Sequence, residues 1–317
     1  REAGKPLVAL YIRSTDEKGN AETYRLSQSI ATEFSLLQGL DQSELTDNDF
    51  LSKLEAELEK RQCFARMDKG RVCRRSFEIK DFLYDFADGG KKLVLTRYRG
   101  EKGSADCEVR RAYYGFPVSQ IGENAFRYRT DLKQIVLSGG ISSVGAGAFS
   151  RCDGLEYVVL SVSLKELGES AFAGCTSLKA VNLPEGIGVI PKSAFEDCDS
   201  LTGVIIPHGV TEIGRSAFAQ CVELTSVGIP ATVVSIGDTA FYQCECLTSA
   251  EIPDSVKRFG DGVFAWCVSL ASLRLSRNME TLGAESFTGC SALEKIVIPE
   301  GITSIDDYAF YMADGLR

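Results

Sequence analysis

A phenylalanine recurs at every twenty-third position through the second part of the chain. A cysteine follows seven of these phenylalanines three positions later, and a leucine follows each of them six positions later. The phenylalanines are Phe126, Phe149, Phe172, Phe195, Phe218, Phe241, Phe264, Phe287 and Phe310; the cysteines are Cys152, Cys175, Cys198, Cys221, Cys244, Cys267 and Cys290. Such a fixed period is typical of units that cannot bury their apolar side chains alone and must stack. The chain is therefore constrained to a stacked array of repeats.

Within each repeat, the residues after the leucine follow a strand pattern. In one repeat Val181 and Leu183 alternate with polar residues after Leu178, and Pro184 stops the strand because it has no N–H for the ladder. The Ala-Phe segment later in the repeat is expected to form a short helical turn on the outer side. The sequence thus predicts one short parallel strand per repeat, stacked about 4.8 Å apart, with the phenylalanine and cysteine columns in the interior.

The consensus of the repeats reads Leu-x-x-Val-x-Ile-Pro-x-x-Val-x-x-Ile-Gly-x-x-Ala-Phe-x-x-Cys-x-x. It resembles the BspA-like class of leucine-rich repeats from about residue 109 to the C-terminus. Departures include Arg129 and Ala313 at the cysteine position and Ala250 at a core position of the strand. The resemblance implies a leucine-rich-repeat solenoid and a non-catalytic binding protein, secreted by a bacterium or displayed on its surface and involved in adhesion.

Residues 1–108 do not share the repeat and are predicted to form a small α/β domain. The expected class is therefore α/β, with this domain followed by a solenoid at 109–317. Apolar patterns predict strands at 7–12 and 93–98 and helices at about 26–37 and 49–62, while the aromatic-rich stretch 77–86 is ambiguous between the two. We expect the domain to cap the first repeat, and the alternative is an independent binding or signalling module.

The charge of the repeats excludes one class of partner. The first 115 residues hold 21 basic and 20 acidic side chains, whereas the rest hold 14 and 24. Nucleic-acid binding needs a basic face that neutralises phosphates, so no such partner is expected. No stretch has the 18 or so consecutive apolar residues of a membrane span. The given sequence shows no signal peptide. The expected extracellular or cell-surface location therefore rests on the resemblance alone. A longer native chain is expected because Leu316 begins another repeat.

Residues suited to catalysis are few. The chain has one histidine, His208, in the loop after a strand, where it is interpreted as an exposed variant of the repeat. No phosphate-binding loop, metal-ligand cluster or nucleophile elbow is found, so neither an enzyme nor a cofactor nor a metal is predicted. The seven periodic cysteines are interpreted as small packing residues. Cys107 and Cys246 are left unassigned, and a disulfide between Cys63 and Cys73 is an open alternative that would favour export.

The candidate binding site is the solvent side of the strands. The side chains that flank the buried middle residue of each strand vary from repeat to repeat, and solenoid sheets are rigid and broad enough to bind partners. The candidate residues are Tyr157, Val159, Asn182, Ile205, Glu251, Arg274 and Lys295. We expect a protein or glycan ligand for them. The alternatives are an intracellular protein-interaction scaffold and an enzyme with its site in the N-terminal domain.

Overall fold

The computed structural model describes residues 10–15, 21–26, 77–79, 82–87, 92–100, 106–110, 112–113 and 116–317. The chain divides into two compact units. One is Arg1–Gly100 with Arg111–Ser119, and the other is Glu101–Arg110 with Gln120–Arg317. Neither unit contains a helix among the described residues. The expected boundary after residue 108 stays a prediction, as does the capping role of the N-terminal domain.

Antiparallel strands form the described part of the first unit. They are β1 (Leu10–Thr15), β2 (Ala21–Leu26), β3 (Phe77–Ile79), β4 (Phe82–Ala87), β5 (Lys92–Tyr98), β7 (Ala112–Tyr113) and the first residues of β8 (Phe116–Ile121). The strand β6 (Asp106–Val109) precedes β7 in the chain but belongs to the second unit. β1 pairs with β2, β4 pairs with β3 and β5, and β7 pairs with β8. Tyr84, Leu93 and Leu95 are fully buried on β4 and β5.

These strands test part of the N-terminal prediction. The strand expected at 93–98 is confirmed as β5. The apolar run at 7–12 overlaps β1, which begins at Leu10. β2 ends at the first residue of the helix expected at 26–37; the rest of that helix and the helix expected at 49–62 lie outside the described residues. The ambiguous stretch 77–86 contains β3 and most of β4.

The repeats of the second unit place one strand of each repeat in a first parallel ladder. These front strands are β6, β9 (Gln134–Leu137), β11 (Tyr157–Val159), β13 (Ala180–Val181), β15 (Gly203–Ile205), β17 (Ser226–Gly228), β19 (Ser249–Glu251) and β21 (Ser272–Arg274). They form two four-stranded parallel sheets, β6-β9-β11-β13 and β15-β17-β19-β21. The register pairs equivalent residues of neighbouring repeats, as in Tyr157 with Ala180, which confirms the predicted strand and its stacking.

A second strand in each repeat was not predicted. These lateral strands are β10 (Ser143–Val144), β12 (Glu166–Leu167), β14 (Val189–Ile190), β16 (Glu212–Ile213), β18 (Ser235–Ile236), β20 (Arg258–Phe259), β22 (Thr281–Leu282) and β23 (Ser304–Ile305). They pair in parallel in three groups, the first of which continues from the last two residues of β8. The expectation of one strand per repeat is wrong, because two residues are too few to show an alternating pattern and form a ladder only when repeats stack.

The Ala-Phe segments do not form the expected helical turns. Ser193 and Asp197 have φ angles of 54° and 57°, in the left-handed region. The N–H groups of Ser193, Phe195 and Asp197 each donate to a carbonyl of the next repeat at 2.9 Å. A helix would direct these N–H groups along its own axis, so the segment instead adds a further ladder of hydrogen bonds between repeats.

Stacked phenylalanine rings fill the interior, as predicted. Phe195 lies between Phe172 and Phe218, with ring centroids 5.4 Å away on both sides and interplanar angles of 3° and 5°. All the periodic phenylalanines from Phe126 to Phe287 are fully buried. Tight stacking also explains the glycine that follows most of the lateral strands, since a Cβ on Gly214 would lie 2.7 Å from the backbone nitrogen of Lys192 in the preceding repeat. The core therefore repeats with the spacing of the backbone ladders.

The last repeat departs from the prediction. Leu293 is buried, but residues 294–299 form no strand, and Ile298 is 37% exposed. Among the described residues, a front strand lies beside this stretch on one side only. Short strands at the edge of a sheet are only marginally stable. Lys295 is exposed but lies outside any strand, so its expected place on the sheet is wrong.

Candidate functional site

The solvent side of the front strands carries the predicted binding residues. On β11, Val158 is buried while Tyr157 and Val159 on either side are 48% and 49% exposed. Successive residues of a strand point to opposite faces, and the parallel register aligns equivalent residues of neighbouring repeats in columns. We call this surface the front face. It consists of exposed side chains on a backbone that both hydrogen-bonded ladders and the stacked core hold in place.

The structure brings the candidate residues to this face in two groups. Tyr157 and Val159 lie on β11, in the first front sheet, and the exposed Asn182 follows β13 of the same sheet. Ile205, Glu251 and Arg274 lie on strands of the second front sheet. Ile205 is the most exposed apolar member, at 81%. Asn182 thus lies directly after a front strand, whereas Lys295 lies in a stretch that forms no strand.

At the Tyr157 end, charged side chains of three repeats join into a row. Lys179 Nζ lies 2.6 Å from Glu156 Oε2, and Lys133 Nζ lies 3.5 Å from Glu156 Oε1. The hydrogen bond from Lys179 lowers the pKa of Glu156, and the same bond raises the pKa of Lys179. Lys179 Nζ is also 5.3 Å from the centroid of the Tyr157 ring. Tyr157 is therefore held beside a cation and keeps one exposed face.

The middle of the front face is smooth. The solvent-side positions here carry only small side chains or none, at Gly203, Ser226, Gly228, Ser249 and Ser272. A Cβ built on Gly228 would meet nothing within 4 Å, so this glycine leaves open surface and is not required by packing. Ile205 projects from the edge of this smooth region.

The guanidinium of Arg274, one of the predicted binding residues, contacts groups of its own chain. Its guanidinium nitrogens lie 3.0 and 3.1 Å from the two carboxylate oxygens of Asp254, 3.4 Å from Glu251 and 3.2 Å from the Ile252 carbonyl. The backbone N–H of Arg277 also donates to Asp254 at 3.1 Å and, together with Arg274, lowers the pKa of that carboxyl. Arg274 therefore links β21 to the loop after β19, and its role in binding stays a prediction.

Glu156, Lys179 and Asp254 were not among the predicted site residues. One signal could have found the first two: Glu156 and Lys179 lie 23 residues apart and have opposite charge, so stacking must place them side by side. Asp254 gave no such signal, because its partner Arg274 lies 20 residues away and out of step with the repeat.

The other sequence candidates have structural explanations. His208 is exposed, as expected. The seven periodic cysteines are fully buried free thiols, which confirms their interior position. Cys107 is buried and Cys246 is exposed; Cys63 and Cys73 lie outside the described residues. In the part of the chain that the structure describes, no group of three His, Cys, Asp or Glu side chains is arranged to hold a metal ion, and no helix is long and apolar enough to span a membrane.

One cleft of about 390 Å³ opens on the outer surface of the repeats of Phe126 to Phe195. Its walls include Glu123, Glu169 and Glu196 together with Arg127 and Arg151. The cleft is a polar groove between turns of neighbouring repeats.

A fixed repeat length, two parallel ladders and a stacked phenylalanine column define a leucine-rich-repeat solenoid. The family described as the BspA type leucine rich repeat region matches residues 106–225 and 211–317, with six copies of the repeat. The chain belongs to this family. No curated protein matches the chain.

Solved structures with the same fold come from bacteria. A leucine rich cell surface protein from Faecalibacterium prausnitzii A2-165 is 22% identical, with a TM-score of 0.51 over 77% of this chain and 87% of that one. A leucine rich repeat protein of T. pallidum is 28% identical, with a TM-score of 0.51 over 70% of this chain and 92% of that one. The solenoid predicted from the repeat is thus confirmed.

Proposed function

We propose that the protein is a non-catalytic binding protein, secreted or on a bacterial cell surface, which recognises a protein or glycan through its front face. The observation that carries this proposal is the exposure of Tyr157, Val159 and Ile205 on a rigid sheet. Large apolar side chains in such positions lose water contact only when a partner covers them. Membership of the BspA-type family supports the surface location, since adhesion and surface display are what the family resemblance implies.

The front face suits recognition of a broad surface. Its backbone is fixed by ladders on two sides, so binding would order little of the chain and lose little conformational entropy. The apolar side chains project beside the smooth stretch from Gly203 to Ser272, where a flat partner can approach closely. Ion pairs at both ends, around Glu156 and around Arg274, give the face a polar rim. Protein interfaces commonly combine exposed apolar side chains with polar groups at their margins.

The test compares valine and isoleucine replacements on and off the front face. The full chain is assayed for binding to purified extracellular matrix proteins and to a glycan array, as parent, Val159→Ser and Ile205→Ser. Val162→Ser is the matched control, because Val162 is 85% exposed but lies in the loop after β11. We expect each front-face variant to weaken a detected interaction by about tenfold, as the loss of a well-buried apolar contact does.

Equal binding by all three variants would show that the front face is not the recognition surface. The proposal of a surface location is tested separately, by treating intact cells of the source organism with protease. Loss of the solenoid from intact cells is expected, and its survival until the cells are lysed would favour the intracellular scaffold.

A further inference from the structure

The cleft of about 390 Å³ on the outer surface has a floor of small residues, among them Gly147, Ala173 and Gly174. Three later repeats carry larger side chains at the position equivalent to Gly174: Gln220, Gln243 and Trp266. The structure describes every residue that lines the cleft. The cleft is therefore built by the particular residues of these repeats, and the repeat pattern alone does not produce it.

Charged side chains of opposite sign line the two sides of the cleft. Glu123 and Glu169 precede the Ala-Phe pair of their repeats, whereas Arg127 and Arg151 follow it. The Ala-Phe pairs are buried in the core, so the residues before and after them lie on either side. We call the side of the two glutamates the acidic wall and the side of the two arginines the basic wall.

At the first end of the cleft, Asn124 bridges the two walls. Its side-chain nitrogen donates to Glu123 Oε1 at 3.1 Å, and its Oδ1 accepts from Arg127 at 3.3 Å. The equivalent residue of the next repeat is Gly147, which has no side chain to make such a bridge. An added Cβ on this glycine would lie only 2.6 Å from Asn124 Oδ1. The walls beyond Asn124 are therefore charged, with open space between them.

Arg151 and Glu169 line this open part of the cleft. The Arg151 side chain extends over Gly174 of the next repeat, where an added Cβ would be 2.8 Å from Arg151 Cδ. Among the described residues, the Arg151 guanidinium and the carboxylates of Glu169 and Glu196 form no ion pair and no side-chain hydrogen bond. Arg274 on the front face, by contrast, pairs with two carboxylates. Both walls of the cleft thus keep hydrogen-bonding groups for a ligand.

The far end of the cleft carries further acidic groups. Glu196 and Asp197 follow the Ala-Phe pair of the repeat after Glu169. Asp197 accepts a hydrogen bond from the Gln220 side chain of the next repeat. A ligand with only negative charge is repelled by these carboxylates and by the acidic wall, and one with only positive charge is repelled by the basic wall. The cleft therefore favours a ligand that carries both charges.

We propose that the cleft binds an extended segment of a partner protein in which acidic and basic residues alternate. Successive side chains of an extended chain point to opposite sides, so its acidic residues reach the basic wall and its basic residues reach the acidic wall. An arginine can bind a carboxylate through two parallel hydrogen bonds. The small floor residues let the backbone of the segment approach closely. This site lies outside the front face and does not depend on the function proposed for that face.

Peptides of equal composition test the order of the charges as well as their sign. The full chain is titrated by calorimetry with four end-capped peptides that share Gly/Ser flanks. Their central sequences are Glu-Lys-Glu-Lys, Glu-Glu-Lys-Lys, four lysines and four glutamates. We expect saturable binding of the alternating peptide, binding of the block and four-lysine peptides about threefold or more weaker, and no binding of the four-glutamate peptide.

Variants of the walls separate the cleft from the overall acidity of the chain. Arg151→Gln and Glu169→Gln each remove one charge of the cleft and are expected to weaken binding of the alternating peptide about threefold. The matched controls are Arg258→Gln on β20 and Glu212→Gln on β16, two exposed residues outside the cleft, and both should bind as the parent does. Melting temperatures show that each variant is folded.

Arg151→Glu gives a change of preference that a loss of stability cannot imitate. With one arginine of the basic wall replaced by a carboxylate, the four-lysine peptide should bind more tightly than the alternating peptide. Equal affinity of the parent for the alternating and block peptides would overturn the proposal, as would equal losses in Arg151→Gln and Arg258→Gln. Val159→Ser on the front face should leave the titration unchanged, so failure of the proposed front-face function does not alter this outcome.

Discussion

The thiol of Cys198 donates a hydrogen bond to the carbonyl oxygen of Phe172, 3.3 Å away in the preceding repeat. The other periodic cysteines make the same bond to the phenylalanine 26 residues earlier, at distances of 3.1 to 3.3 Å. These cysteines therefore do more than fill space, because each links two repeats inside the core. A thiol suits this position, since it is small, tolerates an apolar surrounding and still donates a proton.

The first prediction concerns the reactivity of these thiols. Burial raises the pKa of Cys175, Cys198 and Cys244 well above the ordinary thiol value. The thiolate is the reactive species, so the seven periodic cysteines should resist a thiol reagent until the solenoid unfolds. Thiol titration without reductant, before and after denaturation, measures this. Exposed Cys246 is the internal control and should react in the native protein. Rapid native labelling of the periodic cysteines would refute their role in the core.

The second prediction concerns the phenylalanine column. Phe195 is fully buried between two stacked rings, so Phe195→Ala should lower the free energy of unfolding by about 3 to 5 kcal/mol through lost burial and a residual cavity. Phe310 stacks on Phe287 and is only partly buried, so Phe310→Ala should have a smaller effect. Denaturant unfolding of both variants makes the comparison. Similar losses for the two would show that burial in the stack does not govern stability.

The third prediction concerns the left-handed positions. Gln243 has a φ of 54° while its N–H donates to Ala265 at 2.8 Å. Glycine adopts this conformation without strain, so Gln243→Gly should stabilise the protein by about 0.5 kcal/mol. Gly174 occupies the equivalent position with a φ of 75°, so Gly174→Ala should destabilise it by about 1 kcal/mol. Thermal melts of the pair are expected to shift in opposite directions, and shifts of the same sign would contradict this explanation.

The fourth prediction concerns pH. Burial, with the nearby charges of Asp197 and Glu223, raises the pKa of Asp199. A carboxyl whose folded pKa exceeds its unfolded value favours folding when protonated, and this contribution is lost as the pH rises from the unfolded pKa through the raised one. At neutral pH, Asp199→Asn should therefore stabilise the protein by a few tenths of a kcal/mol. Its advantage should vanish below about pH 3, where Asp199 itself is protonated. Melting curves across this range provide the measurement.

The repeat period predicts much of the architecture. A fixed repeat length assigns Phe195 and Cys198 to the same relative positions as their equivalents in the other repeats. Positions that are apolar in nearly every repeat are expected to face the interior. The alternation in residues such as Val158 between Tyr157 and Val159 likewise predicts which side of the front strand meets solvent. These predictions succeed because they depend on which side chains avoid water, and that information is carried by residue type and spacing.

Tertiary structure decided where the backbone hydrogen bonds go and which charges are free. The N–H of Phe195 donates to the carbonyl of Ala217 in the next repeat. Because such hydrogen bonds run between repeats, the segment that was expected to be helical adopts left-handed turns. The lateral strands likewise form only by pairing between stacked repeats. Arg274 is exposed, yet Asp254 and Glu251 both pair with its guanidinium. The sequence by itself determined the repeat, the core columns and the exposed faces. Only the folded structure decided the turn conformations and the partners of surface groups, because these depend on contacts between repeats that have no local signature in the chain.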